Sequence, residues 1–155
     1  MPNGDQPPHW RDVGTVDSYW EANIDLTRVA PELNLYDPAW PILTANQPRA
    51  PAKFVFSEPD RRGVALDSLV SSGCIVSGGV VQRSLLSTSV RMHSHAGIQD
   101  SVLLPDVHVG RHAVLRIGVD VEEDRDRFFV SPGGVVVVTP EMLAALPRPG
   151  VGAAH

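Results

Sequence analysis

The sequence predicts a mainly β fold: a single-stranded left-handed parallel β-helix with a short N-terminal helix and a C-terminal strand–helix cap. The first observation is a repeat in which every sixth residue is apolar: Cys74, Val80, Leu86, Met92, Ile98 and Leu104. The second is a column four residues further on that is small or β-branched except at its end: Gly78, Ser84, Val90, Ala96, Val102 and His108. A helix repeats at about 3.6 residues and a strand at about 2, whereas a triangular coil of hexapeptides has about six residues on each side. The alternative is a set of antiparallel strands whose apolar residues coincide by chance.

The composition is the third observation, and it limits both the class of protein and its partners. The 155 residues are 43% hydrophobic and 20% charged, which is typical of one folded domain with a real core. The net charge of -5 argues against a nucleic-acid partner, because a phosphate backbone is bound by basic excess. The single cysteine excludes an internal disulfide. The chain carries neither a secretion signal nor an apolar run of membrane-spanning length, so we expect no membrane partner and a cytoplasmic location.

Residues 1–63 are predicted to form a tail, a helix and an extended connector. Thr15 is a good N-cap for the helix, and Pro31 is expected to stop it. Four further prolines exclude long regular structure from residues 33–52. Lys53 to Phe56 then has the composition of a short strand.

Residues 64–155 are predicted to form the β-helix and its cap. The coils continue to about Ile117, which corresponds to roughly three turns of about 18 residues. The charged run 122–127 is expected to form one or two solvated helical turns, and residues 135–138 a strand. Thr139 is positioned to cap a last short helix.

Short motifs between Trp10 and Leu143 carry a resemblance to a known family. They include Trp10-Arg11-Asp12-Val13-Gly14-Thr15, Pro51-Ala52-Lys53-Phe54-Val55, Asp67-Ser68-Leu69-Val70-Ser71, Leu104-Pro105-Asp106-Val107 and Gly134-Val135-Val136-Val137-Val138-Thr139. Together they resemble the C-terminal part of bacterial glucose-1-phosphate adenylyltransferase (ADP-glucose pyrophosphorylase). The resemblance implies a family of allosteric homotetramers that make ADP-glucose and pyrophosphate from ATP and glucose 1-phosphate with Mg²⁺, in bacterial glycogen synthesis.

The family's nucleotidyltransferase domain is not represented in this sequence. The chain resembles the detached last third of the enzyme, so the resemblance implies an assembly and regulatory domain that is inactive alone. It implies no cofactor for the isolated chain and Mg²⁺ for the full-length family. The implied partners are further copies of the chain or a full-length adenylyltransferase subunit. Two alternatives stay open: a stand-alone hexapeptide-repeat acyltransferase, and a truncated product without activity of its own.

The resemblance also supplies the candidate site residues, among which no complete catalytic set is expected. Asp12 matches a family aspartate that helps to hold Mg²⁺, a role that requires the catalytic domain; otherwise Asp12 is expected to be an exposed turn residue. Arg83, Arg91 and Arg116 are candidates for an anion site that binds a phosphorylated effector, and the alternative is a solvated coil surface. After Arg116 the family continues with another stretch of β-helix that is missing here, so allosteric control is expected to differ.

Four histidines invite a metal-binding or acyl-transfer interpretation, because many hexapeptide-repeat proteins are acyltransferases with a catalytic histidine. They are His93, His95, His108 and His112. The repeat predicts that His93 and His95 point outward and that His108 occupies a corner. Histidines in such positions are usually solvated side chains, and this is the interpretation that we favour.

Overall fold

The computed structural model describes residues 9–43, 47–116 and 121–145. The chain divides into two compact units, Met1–Arg116 and Ile117–His155, and each is described by itself. The boundary predicted between residues 63 and 64 concerns the end of the connector and stays a prediction. Within the described ranges, no helix is both long and apolar enough to span a membrane.

The described part of the first unit contains one helix, α1 (Val16–Asp25), and eleven short strands. The strands are β1 (Lys53–Val55), β2 (Val64–Leu66), β3 (Leu69–Val70), β4 (Ile75–Ser77), β5 (Val80–Gln82), β6 (Leu85–Leu86), β7 (Arg91–Met92), β8 (Gly97–Gln99), β9 (Val102–Leu103), β10 (His108–Val109) and β11 (Val114–Arg116). The predicted strand at Lys53 and the predicted start of the coils at Val64 are therefore confirmed.

Successive strands belong to different sheets, and the chain returns to the same sheet one coil later. The first sheet has the order β1-β4-β7-β10, the second β11-β8-β5-β2 and the third β3-β6-β9. Strands within each of the three sheets pair in parallel. Three parallel sheets that are visited in rotation form a triangular solenoid of about three turns. The predicted fold class, a mainly β left-handed parallel β-helix, is confirmed.

Each coil is shorter than the 18 residues that the six-residue repeat predicts. Val64 pairs with Val80 and Val80 with Gly97, so equivalent positions recur after 16 or 17 residues. The inward residues are accordingly five or six apart. They are Val70, Val76, Val81, Leu86, Met92, Ile98, Leu103 and Val109.

The strict period of six is therefore wrong at two positions. Leu86, Met92 and Ile98 point inward as predicted, since the steps between them are six residues long. Val80 and Leu104 are 47% and 55% exposed, and their neighbours Val81 and Leu103 occupy the core. Successive strand residues face opposite sides, so a coil side shortened by one residue turns the predicted side chain outward.

The corners of the solenoid are formed by residues with positive φ, which recur with the coil length. One corner has Asp67 (φ 45°), Arg83 (φ 41°) and Asp100 (φ 51°). A second corner contains Gly73, Ser89 and Asp106. The third corner contains Phe56, Gly78, His95 and His112. A tight corner needs the left-handed backbone region, which Gly, Asn and Asp enter most readily. The predicted column of small residues thus contains only one corner residue, Gly78, and His108 lies in β10 instead of at a corner.

Helix α1 begins as predicted and ends earlier than predicted. The Oγ1 atom of Thr15 accepts a hydrogen bond from the backbone N–H of Ser18 at 3.1 Å, and the Ser18 hydroxyl oxygen accepts one from the backbone N–H of Thr15. The helix ends at Asp25, well before Pro31. The buried carboxylate of Asp25 accepts hydrogen bonds from the backbone N–H of Glu32 and the guanidinium of Arg28, and these contacts fix the turn that follows the helix.

The described part of the second unit contains two short helices and one hairpin. Helix α2 (Val121–Arg125) lies in the charged run, as predicted. Strands β12 (Phe129–Val130) and β13 (Val136–Val137) pair antiparallel, and the buried hydroxyl of Ser131 accepts a hydrogen bond from the backbone N–H of Val135. Helix α3 (Pro140–Ala145) begins after Thr139, whose Oγ1 accepts from the backbone N–H of Met142 at 3.3 Å.

Candidate functional site

The corner between the second and third sheets carries a column of charged side chains. Its members Asp67, Arg83 and Asp100 lie one coil apart. The Nε and Nη2 atoms of Arg83 each donate to an oxygen of Asp100 at 2.7 Å, which is the two-point geometry of a strong arginine–carboxylate pair. This hydrogen bonding lowers the pKa of Asp100 and raises that of Arg83. Both members of the pair therefore stay ionised at neutral pH.

Asp100 also connects the solenoid to α1. The indole Nε1 of Trp20 donates a hydrogen bond of 2.8 Å to the backbone carbonyl of Asp100. Helix α1 contacts β9, the strand that follows Asp100. Beside this corner lies a shallow cleft of about 230 Å³, which is lined by Thr27, Arg28, Val29, Asp67 and Arg83. We call residues 9–43, which include α1, the front segment. The corner thus fixes where the front segment lies on the solenoid.

The three arginines that were candidates for an effector site have different positions. Arg83 lies at this corner and is paired with Asp100. Arg91 is exposed in β7 of the first sheet, where it pairs with Ile75 and His108. Arg116 ends β11, and its side chain lies outside what the structure describes. Since Arg83 and Arg91 lie on different parts of the coil, an anion site shared by the three stays a prediction.

Asp12 is an exposed residue in a turn. Its Oδ1 atom accepts a hydrogen bond of 2.9 Å from the backbone N–H of Gly14, just before the N-cap of α1. Mg²⁺ requires several oxygen ligands in octahedral array, and Asp12 contributes one carboxylate. In the part of the chain that the structure describes, no three His, Cys, Asp or Glu side chains converge on a possible metal position. The residues described here do not form a Mg²⁺ site by themselves.

The four histidines do not converge either. The rings of His95 and His112 stack one coil apart, with centroids 5.1 Å apart and an interplanar angle of 7°. His93 and His108 are exposed along the first sheet. The outward orientation predicted for His93 and His95 agrees with their exposure.

A shallow groove crosses the outer surface of the second sheet. It has a volume of about 430 Å³ and is lined in part by Val80, Gly97, Val114, Asp60 and Arg62. Sequence reasoning missed this groove because the six-residue period placed Val80 in the core. In the structure Val80 pairs with Gly97, and the surface is open there because nothing lies within 4 Å of the position that a Cβ of Gly97 would take.

Comparison with known proteins gives matches along most of the chain. Residues 50–116 match the family described as "GlmU-like, C-terminal hexapeptide". The glucose-1-phosphate adenylyltransferase of Dechloromonas aromatica is 57% identical over 151 residues, covering 88% of this chain and 34% of the relative. The adenylyltransferase of Nitrosomonas europaea is 51% identical over 151 residues, with 88% of this chain and 35% of the relative covered. The Yersinia pseudotuberculosis enzyme is 51% identical over 159 residues, with 93% and 37% covered.

The resemblance to the C-terminal part of glucose-1-phosphate adenylyltransferase is confirmed. The chain spans about a third of the length of the curated relatives that it matches. The solenoid corresponds to the hexapeptide region of the match, and the front segment with Asp12 and α1 lies outside that region. The Arg83–Asp100 corner therefore belongs to the hexapeptide part, and Trp20 belongs to the part that precedes it.

Proposed function

We propose that this chain is an assembly and regulatory domain of glucose-1-phosphate adenylyltransferase and that it does not form ADP-glucose on its own. The observation that carries the proposal is the unequal coverage. Relatives with this name match nearly all of the chain, whereas the chain matches about a third of each relative. An activity that belongs to the whole relative would then need the remaining two thirds, provided by another polypeptide or by a longer form of this one.

The solenoid is well suited to a positioning role. Its core side chains stack from coil to coil, as in the buried series Val81 and Ile98, and parallel strand pairing continues along all three sheets. Repeat architectures of this kind are held by contacts between neighbouring coils and present extended, rigid surfaces. Such a scaffold can hold a partner domain in a fixed position without itself contributing reacting groups.

Among the described residues, Asp12 is the one that we propose takes part in the metal chemistry of the family. When bound, Mg²⁺ would neutralise charge on the nucleotide phosphates during adenylyl transfer. Asp12 lies in the front segment, and its carboxylate is exposed, so a partner domain can reach it. We propose that Asp12 becomes a metal ligand only together with carboxylates or phosphates that this chain does not supply.

The proposal is tested by turnover and by assembly. The purified chain is incubated with ATP, glucose 1-phosphate and Mg²⁺, with the Dechloromonas relative as positive control. We expect no ADP-glucose from the chain alone. Native mass spectrometry of the chain co-expressed with the full-length relative should reveal mixed oligomers. ADP-glucose formed by the chain alone would refute the proposal, as would the absence of any mixed species.

The regulatory part of the proposal concerns Arg83, Arg91 and Arg116. We propose that they contribute to binding of a phosphorylated effector, with Arg91 as the exposed side chain that lies outside the Arg83–Asp100 ion pair. Calorimetric titration of the mixed oligomer with a sugar bisphosphate should give weaker binding for Arg91→Gln, with an unchanged melting temperature. Arg111→Gln, another exposed arginine on the coils, is the matched control. Equal binding by both variants would remove Arg91 from the proposal.

A stand-alone hexapeptide acyltransferase is the second candidate, and the hexapeptide match over residues 50–116 is the observation that favours it. The stacked pair His95 and His112 would then be the first residues to test. Binding of acetyl-CoA by the isolated chain, lost in His95→Gln, would support the acyltransferase. We expect no binding.

A further inference from the structure

The outer surface of the second sheet carries a row of apolar residues that crosses all four strands. The members of the row pair in register from β2 to β11, and they are Val64, Val80, Gly97 and Val114. We call these four residues the apolar strip. Neighbouring strands of a sheet lie about 4.8 Å apart, so the strip is one continuous row about 14 Å long. The residues that follow Val80 and Gly97 are buried in the core, which means that the strip itself faces outward.

The apolar strip has an open hollow in its middle. Val80 is 47% exposed and Val114 is 64% exposed, and both stand beside Gly97. Nothing lies within 4 Å of the position that a Cβ of Gly97 would take. These residues line the groove of about 430 Å³ on this sheet. An apolar row on the outer side of a sheet is characteristic of a surface that another element covers, because a solvated sheet face is ordinarily polar.

The other two outer faces of the solenoid follow this rule. On the third sheet, the outward residues Leu69, Leu85 and Val102 are half-buried, and α1 contacts the strand that contains Val102. On the first sheet, the outward residues Lys53 and Arg91 are charged and exposed. The apolar face is therefore packed and the charged face is solvated. The apolar strip is the face that is apolar and exposed together.

The order of residues in the strip is complementary to itself. A two-fold axis that runs parallel to the strands, midway between Val80 and Gly97, places Val80 of each copy opposite Gly97 of the other. The same rotation places Val64 of each copy opposite Val114 of the other. Facing sheets pack about 10 Å apart with interdigitated side chains, so a valine opposite a glycine fills the hollow. A two-fold contact forms both of these valine–glycine contacts at once.

The polar residues around the strip favour the same partner. The adjacent outward row pairs Gln82 with Gln99, and both side chains are uncharged. The groove is bordered by one acid and one base, Asp60 and Arg62. Two copies can therefore approach each other through this face without net repulsion, although the whole chain has a charge of -5.

The size of the strip limits the strength of the contact. Four strands of about three residues cover about 200 Å² on each copy, or about 400 Å² in total. Stable dimers bury about 1,200–2,000 Å². The contact is therefore weak by itself, and it dissociates on dilution unless other contacts in an assembly support it.

Resting on the proposed function, in which this chain is an assembly domain, we propose that the apolar strip is a self-association surface. Two copies of the chain meet there side by side about a two-fold axis, with Val80 of each copy seated over Gly97 of the other. A protein of a different kind is the competing occupant, and the experiment separates the two.

The test follows the self-association of the full chain by sedimentation velocity between about 10 μM and 1 mM, the range of a weak dimer. Gly97→Val fills the hollow, and Val80→Gly removes the side chain that occupies it. The matched control Leu104→Ser removes an exposed apolar side chain outside the second sheet. Circular dichroism and melting curves establish that the variants fold, and Val80→Ala replaces Val80→Gly if the glycine unfolds the coil.

We expect a reversible wild-type dimer, an unchanged dissociation constant for Leu104→Ser, and a dissociation constant at least about tenfold higher for Gly97→Val and for Val80→Gly. An equal mixture of Gly97→Val and Val80→Gly should associate about as well as the wild type. In the mixed dimer each valine again faces a glycine, because the valine introduced at position 97 meets the glycine introduced at position 80.

Three results would overturn the proposal. The first is a wild-type chain that stays monomeric throughout this range, and the second is an oligomer that neither strip variant weakens. The third is weakened association of both variants without recovery in their mixture, because the two-fold arrangement requires that recovery. Mixed oligomers with the full-length relative would still support the proposed function in each case. Their absence beside an intact wild-type dimer would overturn the proposed function and leave the apolar strip in place.

Discussion

Arg83 and Asp100 lie one coil apart at the same corner of the solenoid and form a two-point ion pair in which both N–O distances are 2.7 Å. The carbonyl of the same Asp100 accepts the indole N–H of Trp20. One residue therefore links two consecutive coils and the front helix. Because the residues are separated by 17 positions, the pair exists only if the coil between them has this length.

The first prediction concerns the pH dependence of this pair. Hydrogen bonding to Arg83 lowers the pKa of Asp100, so the folded protein binds this proton less readily than the unfolded chain. The contribution of the ion pair to the free energy of unfolding is complete above the ordinary aspartate pKa of about 3.9. It is lost as the pH falls through the lowered pKa of Asp100 in the folded protein. The Arg83→Gln variant should be less stable than the wild type near pH 7, and the difference should shrink below about pH 4.

Urea unfolding of wild type and Arg83→Gln between pH 3 and 7 measures this difference. The Asp100→Asn variant is the partner control, and its stability should lose the same acid-range dependence. Both differences should also shrink in about 1 M salt, because the pair is partly exposed. A difference between wild type and Arg83→Gln that is the same at pH 3 and pH 7 would contradict the ion pair.

The second prediction separates the observed core from the strict six-residue period. Val81 is fully buried and Val80 is about half exposed, although they are neighbours. Val81→Asp should abolish cooperative unfolding, since an unpaired buried carboxylate costs several kcal/mol out of a total stability of about 5–15 kcal/mol. Val80→Asp should cost less than about 1 kcal/mol. Thermal unfolding of both variants tests this prediction. A Val80→Asp variant that is less stable than Val81→Asp would support the strict six-residue period instead.

The third prediction concerns two glycines in neighbouring coils. A Cβ at Gly79 would lie 2.5 Å from the carbonyl oxygen of Ala96 and 2.5 Å from Cε of Met92. Gly79→Ala should therefore destabilise the protein by about 1–3 kcal/mol, the usual cost of overpacking. Gly97→Ala is the control, because nothing lies within 4 Å of its Cβ position. Urea denaturation should find Gly97→Ala neutral or slightly stabilising, and equal losses for both variants would show that the coil spacing is wrong.

The fourth prediction concerns the start of α1. Thr15→Ala removes the side-chain oxygen that accepts the N–H of Ser18, so it should destabilise the helix by about 1 kcal/mol. Thr15→Ser keeps the acceptor and should retain nearly all of the stability. Hydrogen exchange of the α1 amides is the direct measurement, with faster exchange expected in Thr15→Ala alone. Unchanged exchange in that variant would mean that tertiary contacts such as Trp20–Asp100 hold the helix without its cap.

Much of the local structure could be predicted because local residues determine it. Thr15 and Thr139 cap their helices as predicted, since capping depends on a few consecutive residues. The end of α1 was missed because it depends on Asp25, whose carboxylate is held by Arg28 and Glu32 and not by the nearest proline.

The candidate site was harder to predict than the fold. Arg83 was identified as a possible anion ligand, but its partner Asp100 was not, because the six-residue period does not bring positions 83 and 100 to the same corner. The groove beside Val80 was missed for the same reason. A shift of one residue moves a strand side chain to the opposite face, so small errors in coil length have large effects on a predicted surface.

The sequence by itself determined that this chain forms a parallel solenoid with a capped front helix, because apolar periodicity and capping residues act over a few positions. The tertiary structure decided the coil length of 16 or 17 residues, and with it which side chains point inward and which charges meet. Coil length depends on how each corner packs on the coil before it. That contact joins residues far apart in the chain, and no local pattern records it.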